Sequence, residues 1–218
     1  NGCSQMLEAT ITQPPLLSLA IDTVVNILHY GDKTGAVRIN VSGGGAPYTY
    51  SWSNGAATKN IRIVSAGSYS ITVKDASGCA KTINASISQP PMLVGTIDAV
   101  KNVMCYGDSS GAILITATGG IGPYKYRWSN GASTEDLKRV TAGRYSVTIT
   151  DVHGFKETAS GIITQPSLFL LKLDAVKNVR CYGDKTGVVD ISVSGGVAPY
   201  AYKWNNLATT QDLLGVQE

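Results

Sequence analysis

The sequence repeats itself at a constant step of 76 residues, and this step decides the architecture. The motif Tyr-Gly-Asp recurs at Tyr30, Tyr106 and Tyr182, and tryptophan recurs at Trp52, Trp128 and Trp204. No insertion or deletion interrupts the step, which indicates a tandem array of one small domain. We therefore predict the tail of a preceding repeat at 1–15, complete repeats at 16–91 and 92–167, and a truncated repeat at 168–218.

Within one repeat, apolar and polar residues alternate. Val37, Ile39 and Val41, for example, are separated by Arg38 and Asn40. A period of two is typical of half-buried β-strands. The alternation and the intervening glycine-rich turns predict strands at 17–28, 36–42, 48–53, 59–64, 68–74 and 79–88. The predicted fold class is all-β: tandem immunoglobulin-like Greek-key β-sandwich repeats arranged as a rod.

Aromatic residues support the sandwich. Tyr69 and Tyr145 follow Ala-Gly at the start of the penultimate strand, where immunoglobulin-like folds place a tyrosine corner. Plain core tyrosines are the alternative interpretation. Trp52 and Trp128 lie on the third strand, and we expect them at the centre of each sandwich.

Composition excludes several classes of function. Charged residues make up 15% of the 218 residues, the net charge is +3, and no run of lysine or arginine occurs. We therefore expect no nucleic-acid partner. No apolar stretch of about 20 residues is present, so we expect no membrane-spanning helix. The chain opens in the middle of a repeat, which indicates a segment of something longer.

The four cysteines occupy two positions of the repeat: Cys3 and Cys79 at one, Cys105 and Cys181 at the other. A hairpin turning at Met92 would set Cys79 opposite Cys105. In that case the domain boundaries would lie near residues 30 and 106, and a disulfide would join the two cysteines. Free, partly buried thiols are the alternative. Disulfides are typical of extracytoplasmic proteins.

The runs at 41–55 and 118–131, with the sequences VSGGGAPYTYSWSNG and TGGIGPYKYRWSNG, resemble SprB-type repeats, as does the run AGSYSITVKD at 66–75. The chain departs from that pattern at His29 and Phe155, where the family usually has cysteine, and at Asn206-Leu207, where it has Asn-Gly. We expect a looser turn at the latter. The resemblance implies a large surface adhesin of gliding Bacteroidetes, exported by the type IX secretion system.

Catalytic and metal-binding patterns are absent from the sequence. His29 and His153 lie at non-equivalent positions of two repeats, and no Cys-x-x-Cys, His-Glu-x-x-His or Gly-x-Ser-x-Gly motif occurs. We predict no enzyme and no cofactor. Calcium is one hypothesis for the recurring aspartates, and aspartates that cap their own turns are the other. These residues are Asp32, Asp108 and Asp184, together with Asp75 and Asp151.

Two functions stay open. The first is a structural and adhesive repeat segment of a cell-surface filament used in gliding, in contact with other repeats, surface polysaccharide or envelope proteins. The second is a spacer or carbohydrate-binding array of a secreted hydrolase. Tyr30, Tyr106 and Tyr182 are the candidate surface contacts, since each stands beside a turn.

Overall fold

The computed structural model describes residues 2–217, and every regular element in that range is a β-strand. The first repeat contains β1 (Ser18–Val25), β2 (Gly35–Ser42), β3 (Thr49–Trp52), β4 (Ile61–Val64), β5 (Gly67–Lys74) and β6 (Ala80–Ile87). The second contains β7 (Val94–Lys101), β8 (Gly111–Thr118), β9 (Lys125–Trp128), β10 (Leu137–Val140), β11 (Gly143–Thr150) and β12 (Lys156–Ile163). The third contains β13 (Leu170–Lys177), β14 (Gly187–Ser194) and β15 (Leu213–Val216).

The six strands of the first repeat form two antiparallel sheets, ordered β1-β2-β4 and β3-β5-β6. β5 and β6 pair over their whole length, from Gly67 opposite Ile87 to Lys74 opposite Ala80. The chain changes sheet between β2 and β3, again between β3 and β4, and again between β4 and β5. This order is that of an immunoglobulin-like Greek-key sandwich and confirms the predicted fold class.

The second repeat has the same two sheets, ordered β10-β8-β7 and β12-β11-β9, whereas the third has the single sheet β13-β14-β15. By internal contacts the chain divides into two compact units. Unit 1 runs to Leu93 and includes Gly119–Gly122; unit 2 comprises Val94–Thr118 and the chain from Pro123 onward. The hairpin interpretation is wrong, because β7 pairs with β8 of its own repeat and β6 pairs with β5. The reason for boundaries near residues 30 and 106 disappears with that hairpin.

The core of the first repeat lies between its two sheets. Val37 of β2 and Ile71 and Val73 of β5 have no exposed surface. Their period of two follows from the alternation of side chains across a strand, as the sequence predicted. Burial of an aliphatic side chain of this size contributes about 2 kcal/mol to the free energy of unfolding.

The predicted aromatic positions are confirmed in both complete repeats. Trp52 and Trp128 are buried, and the indole Nε1–H of Trp52 donates to the carbonyl oxygen of Thr58 at 2.9 Å. Tyr69 Oη donates to the carbonyl oxygen of Ser65 at 2.8 Å, and Tyr145 Oη does the same to Thr141 at 3.1 Å. A tyrosine hydroxyl bonded to backbone four residues upstream is the tyrosine corner.

Three non-glycine residues within 2–217 adopt the left-handed backbone conformation, and they fall at two positions of the repeat. One position is the second-last residue of β4, β10 and β15, which is Ile63 in the first repeat (φ 58°), Arg139 in the second (φ 59°) and Gly215 in the third (φ 68°). Leu207 has φ 68° and donates its N–H to the carbonyl oxygen of Trp204 at 3.0 Å. Gly55 makes the same bond to Trp52 at 2.9 Å. The looser turn expected at Asn206-Leu207 is therefore wrong, because leucine keeps the turn by accepting an unfavourable conformation.

Candidate functional site: the loops at the ends of a repeat

The Tyr-Gly-Asp loop, residues 29–32 of the first repeat, lies at the end where β6 terminates. Ile27 N–H donates to the carbonyl oxygen of Ser88 at 2.9 Å. Gly31 N–H donates to Oε1 of Gln89 at 3.0 Å, so the loop is tied to the Gln-Pro segment that leads to the next repeat. The loop at residues 105–108 repeats this bond, from Gly107 N–H to Gln165 Oε1 at 3.0 Å.

The aspartates of the Tyr-Gly-Asp loops bond to their own turns. His29 Nδ1 lies 3.3 Å from Asp32 Oδ2, and Asp184 Oδ2 accepts the backbone N–H of Cys181 at 3.2 Å. Asp108 Oδ1 accepts the N–H of Ser109 at 2.6 Å. The nearby Ser110 hydroxyl and then the hydrogen bond from the Ser109 N–H hold the pKa of Asp108 below its ordinary value.

The three candidate tyrosines are all exposed. Tyr30 shows 49% of its surface, Tyr106 54% and Tyr182 102%. Each occupies the same loop of a different repeat, so each is presented to solvent separately. In unit 2, Tyr106 also lines a cavity of about 350 Å³ together with Met104 and Phe169.

The glycine loop contacts the segment that enters each repeat. It comprises residues 43–45, and its equivalents are residues 119–121 and 195–197. Gly44 N–H donates to the carbonyl oxygen of Pro15 at 2.7 Å, and Gly196 N–H donates to that of Ser167 at 2.8 Å. A Cβ on Gly43 would lie 2.0 Å from the carbonyl oxygen of Leu16. That approach, with a φ of 67°, requires glycine here.

The aspartate turn, residues 75–79, closes on the glycine loop. Asp75 is buried, with 6% exposure, and its Oδ2 accepts the N–H of Gly45 at 3.2 Å. Its Oδ1 accepts the N–H groups of Ser77 at 3.0 Å and Cys79 at 2.8 Å. Hydrogen bonds, led by that from Gly45, hold the pKa of Asp75 below its ordinary value of 3.8, although burial opposes them. A carboxylate whose lone pairs face N–H hydrogens is satisfied as an anion.

The second aspartate turn is built in the same way. Asp151 is buried, and its Oδ1 accepts the N–H groups of His153 and Phe155, each at 2.9 Å. His153 is exposed in this turn. Among residues 2–217, no group of three or more histidine, cysteine, aspartate or glutamate side chains is arranged to hold a metal ion.

The four cysteines are free and exposed. Cys79 closes the aspartate turn, whereas Cys105 opens a Tyr-Gly-Asp loop. These two positions therefore belong to different kinds of loop, and no strand ladder joins β6 to β7 within residues 2–217.

Sequence reasoning missed the parts that tie the loops together. Gln89 and Gln165 recur at the 76-residue step, but the sequence does not indicate that their side chains reach loops 58 residues away. The recurring Gly-Gly pairs were the available signal for the close approach to the linker. The recurrence of Asp75 and Asp151 was also a signal in the sequence, and in the structure each is a buried hydrogen-bond acceptor.

Comparison with known proteins starts from the sequence repeat. The model of the SprB repeat matches three times, at residues 21–57, 97–133 and 173–209, which together make up just over half of the chain. No curated protein matches the sequence. A membrane-spanning helix is absent from residues 2–217.

Solved structures with similar folds include several arrays of domains. The three N-terminal domains of the Highly Immunogenic Outer Capsid protein of bacteriophage RB49 are 17% identical, covering 89% of this chain and 78% of that one, with a TM-score of 0.44. A three-domain titin fragment is 13% identical over 94% and 90% of the two chains, with a TM-score of 0.42. Sidekick-1 immunoglobulin domains 1–5 are 12% identical over 93% and 54%, with a TM-score of 0.40.

The family matches recur at the same step as the Tyr-Gly-Asp loops, and each begins within the first strand of a repeat and ends after the Trp turn. They therefore cover the glycine loop and the tryptophan that enters the core. The chain belongs to the SprB repeat family, as a structural repeat segment of a cell-surface protein.

Proposed function

We propose that this chain is a stiff, adhesive segment of a surface filament, a mobile adhesin of gliding cells exported by the type IX secretion system. The observation that carries the proposal is the bonding of each linker. In unit 1, the Gln89 side chain accepts the N–H of Gly31 of its own repeat, and the Pro91 carbonyl oxygen accepts the N–H of Gly120 at 2.8 Å. A linker fixed in this way, and stiffened by proline, limits bending between successive modules.

The modules suit a mechanical role. Eight-residue strands at ~3.3 Å per residue span roughly 26 Å, so each repeat adds reach at a constant increment. The conserved spacing in all copies of this chain supports selection for length and shape, since the loops have the same length in each copy.

Small-angle X-ray scattering of the chain tests the stiffness. The double variant Gln89→Ala/Gln165→Ala removes both side chains that hold the Tyr-Gly-Asp loops. We expect a wider distribution of interatomic distances for it than for the parent chain. Gln13→Ala is the matched control, because Gln13-Pro14 has the same motif but no Tyr-Gly-Asp loop of this sequence lies before it. An unchanged distribution in the double variant would remove the mechanical argument.

Adhesion is supported by the exposed tyrosines. Beads coated with the chain, tested on polysaccharide surfaces, should attach less when Tyr30, Tyr106 and Tyr182 are changed to alanine. Equal attachment would leave these side chains without an adhesive role. The same assay tests the alternative function, carbohydrate-binding repeats of a secreted hydrolase. If that function is right, soluble oligosaccharide should compete with the polysaccharide surface for the chain and reduce bead attachment.

Location and movement need intact cells. Antibody against residues 92–167 should label unpermeabilised cells, and the label should move along the cell surface during gliding. Label that appears only after permeabilisation would contradict the proposal.

A further inference from the structure

We propose that the outer face of the sheet β10-β8-β7, in the second repeat, binds the carboxylate groups of an acidic polysaccharide. The site is a groove lined by the basic residues Lys101, Lys138 and Arg139. The proposal deepens the adhesive function already proposed and rests on it for the kind of partner. It concerns a different surface from the exposed tyrosines, so the two can fail separately.

The register of the three strands sets two lysines on either side of an alanine. Lys101 of β7 lies opposite Ala112 of the central strand β8, and Lys138 of β10 lies opposite the same alanine from the other side. Residues directly opposite one another share a face of the sheet. Ile113, the next residue of β8, has no exposed surface. Because successive side chains alternate across a strand, the row of Lys101, Ala112 and Lys138 lies on the outer face.

The spacing of this row suits an anionic group. Neighbouring strands lie about 4.8 Å apart, so the Cα atoms of the two lysines are separated by roughly 10 Å. Between them Ala112 contributes only a methyl group. Both lysines are exposed, and their long, flexible side chains allow the two ammonium groups to converge on one anion above the alanine.

A β-bulge adds the third cation. The pairing of β10 with β8 shifts between Lys138 and Val140, which leaves Arg139 without a partner in the ladder. Arg139 is exposed and has a φ of 59°, and a bulge changes the direction in which a side chain points. Its planar guanidinium presents paired N–H donors, which match the two oxygens of a carboxylate.

The groove also has the size and the apolar surface of a ligand site. Its volume is about 420 Å³, and ligand pockets typically measure about 300–1,000 Å³. Ala99, Val100 and Leu114 line it beside the three cations. A uronic acid has both parts that this surface requires, since its ring carries C–H groups and its carboxylate carries the charge.

Two carboxylates offset part of the positive charge. Asp136 Oδ2 lies 3.0 Å from Lys138 Nζ, and Asp108 lies near Lys101. Arg139 makes no ion pair within residues 2–217. Three cations are therefore set against two carboxylates, and the positive charge that remains attracts an anion.

The groove favours a carbohydrate over other anionic polymers. None of the described residues that line it is aromatic, so the bases of a nucleic acid would have no ring to stack on. The groove lies on the face of a sheet, where the backbone of the central strand is paired on both sides. An acidic peptide therefore cannot be added there as a further strand.

Each of the other two repeats keeps only one of the three cations. The equivalents of Lys101, Lys138 and Arg139 are Val25, Arg62 and Ile63 in the first repeat, and Lys177, Leu214 and Gly215 in the third. The second repeat alone has the complete set, so the chain should bind the acidic polymer at one place.

Isothermal titration calorimetry of the full chain tests the site. The ionic strength is about 0.15 M, at which exposed charges more than about 8 Å apart are largely screened. The probes are a galacturonate oligomer, the same oligomer with its carboxylates methyl-esterified, and polyglutamate. The test variant is Lys101→Val/Lys138→Leu/Arg139→Gly, in which each substitution introduces a residue that another repeat has at that position.

The matched control is Lys33→Gln/Lys59→Gln/Lys81→Gln, which removes the same charge from exposed positions of the first repeat. We expect the parent chain to bind one galacturonate oligomer. The test variant should bind it at least about tenfold more weakly, because each exposed ion pair contributes about threefold to the affinity. The control should stay within about twofold of the parent, because its charges are screened from the groove. The esterified oligomer should not bind.

Four results would each overturn the proposal. An equal loss in the test variant and the control would mean that only the net charge matters. Equally tight binding of the esterified oligomer would remove the role of the carboxylate. Tighter binding of polyglutamate would assign the groove to an acidic peptide. Absence of binding by the parent chain would leave the groove without this ligand, while attachment of the beads through the tyrosines would still support the adhesive function.

Melting followed by circular dichroism checks that both variants are folded. If the test variant does not fold, Lys101→Val and Lys138→Leu are measured singly. Each should weaken binding of the galacturonate oligomer by about threefold. No loss in either single variant would contradict the placing of the carboxylate between the two lysines.

Discussion

The first and third repeats have closely similar strand-and-turn motifs but very different burial. Trp52 donates its indole N–H to Thr58 at 2.9 Å, and Trp204 donates to Thr210 at 2.8 Å. Leu19, however, is 7% exposed, whereas its equivalent Leu171 is 63% exposed. The first repeat has two sheets, whereas residues 168–217, the described part of the third, form one. The local sequence is therefore enough for the turns, while burial of the core depends on the sheet that faces it.

The largest expected effect comes from removing the tryptophan on each side of this comparison. Trp52→Ala should lower the free energy of unfolding by about 3–5 kcal/mol, because the indole is buried between two sheets. Trp204→Ala should cost less than about 2 kcal/mol, because this indole is only partly covered. Urea unfolding followed by circular dichroism measures both.

The pair of variants is well matched, since each loses one indole hydrogen bond to a backbone carbonyl oxygen, of 2.9 Å in one case and 2.8 Å in the other. Their difference therefore reports burial alone. Equal costs would mean that the third repeat is as well packed as the first, and would contradict the comparison.

Asp75 gives the next effect, because the third repeat within this sequence has no aspartate turn. The folded-state pKa of Asp75 is lowered, so the folded state binds fewer protons than the unfolded state in acid. Its stabilising contribution is complete above the unfolded pKa near 3.8 and is lost as the pH falls through the folded pKa. Asp75→Asn, which cannot titrate, should unfold more easily at pH 7 and lose less stability between pH 7 and pH 3.

Thermal unfolding at a series of pH values measures this difference. Asp32→Asn is the control, since Asp32 lies in an exposed loop and is bonded to His29 rather than to a buried turn. If Asp75→Asn and the parent chain lose stability in parallel as the pH falls, Asp75 does not contribute to the acid dependence.

The sandwich could be predicted from the sequence because its signals are local. Alternation at Val37, Ile39 and Val41 needs only the geometry of a strand, and Tyr69 marks a known corner. Every predicted strand of the first repeat overlaps an observed one. The constant spacing then gives the positions of the strands in the next repeat.

The loops could be predicted only in part, since their contacts join distant residues. The bond from Gly31 to Gln89 spans 58 residues, and no periodic pattern indicates it. The hairpin at Met92 was wrong because equal spacing about a midpoint does not specify a strand partner, and β7 finds a better one in β8. The sequence indicated Asp75 as a recurring residue. Its burial and the N–H donors around it were needed to distinguish a carboxylate that accepts hydrogen bonds from one that binds a cation.

A smaller effect is expected where the repeats differ in one backbone position. Ile63 has a φ of 58° and is 79% exposed, whereas the third repeat has Gly215 at this place. Ile63→Gly should stabilise the chain by roughly 0.5 kcal/mol, because relief of the left-handed strain exceeds the entropy that glycine adds to the unfolded state. Gly215→Ala, the reverse change, should destabilise the third repeat. Urea unfolding of the two variants measures both signs, and destabilisation by Ile63→Gly would show that the position is not strained.

The smallest expected effect is that of a chelator, which should leave the melting temperature of the chain unchanged. A cation at the aspartate turn would have to approach oxygens that already accept N–H hydrogens from Gly45, Ser77 and Cys79, and these dipoles repel positive charge. Calcium prefers six to eight oxygen ligands, and this turn presents mainly N–H donors. Differential scanning calorimetry with excess chelator, and with added calcium, measures the melting temperature directly. A reproducible fall in the melting temperature with chelator, reversed by calcium, would contradict this expectation and would mean that a cation binds elsewhere in the loops. The complete and single-sheet repeats would then differ in ligand as well as in burial.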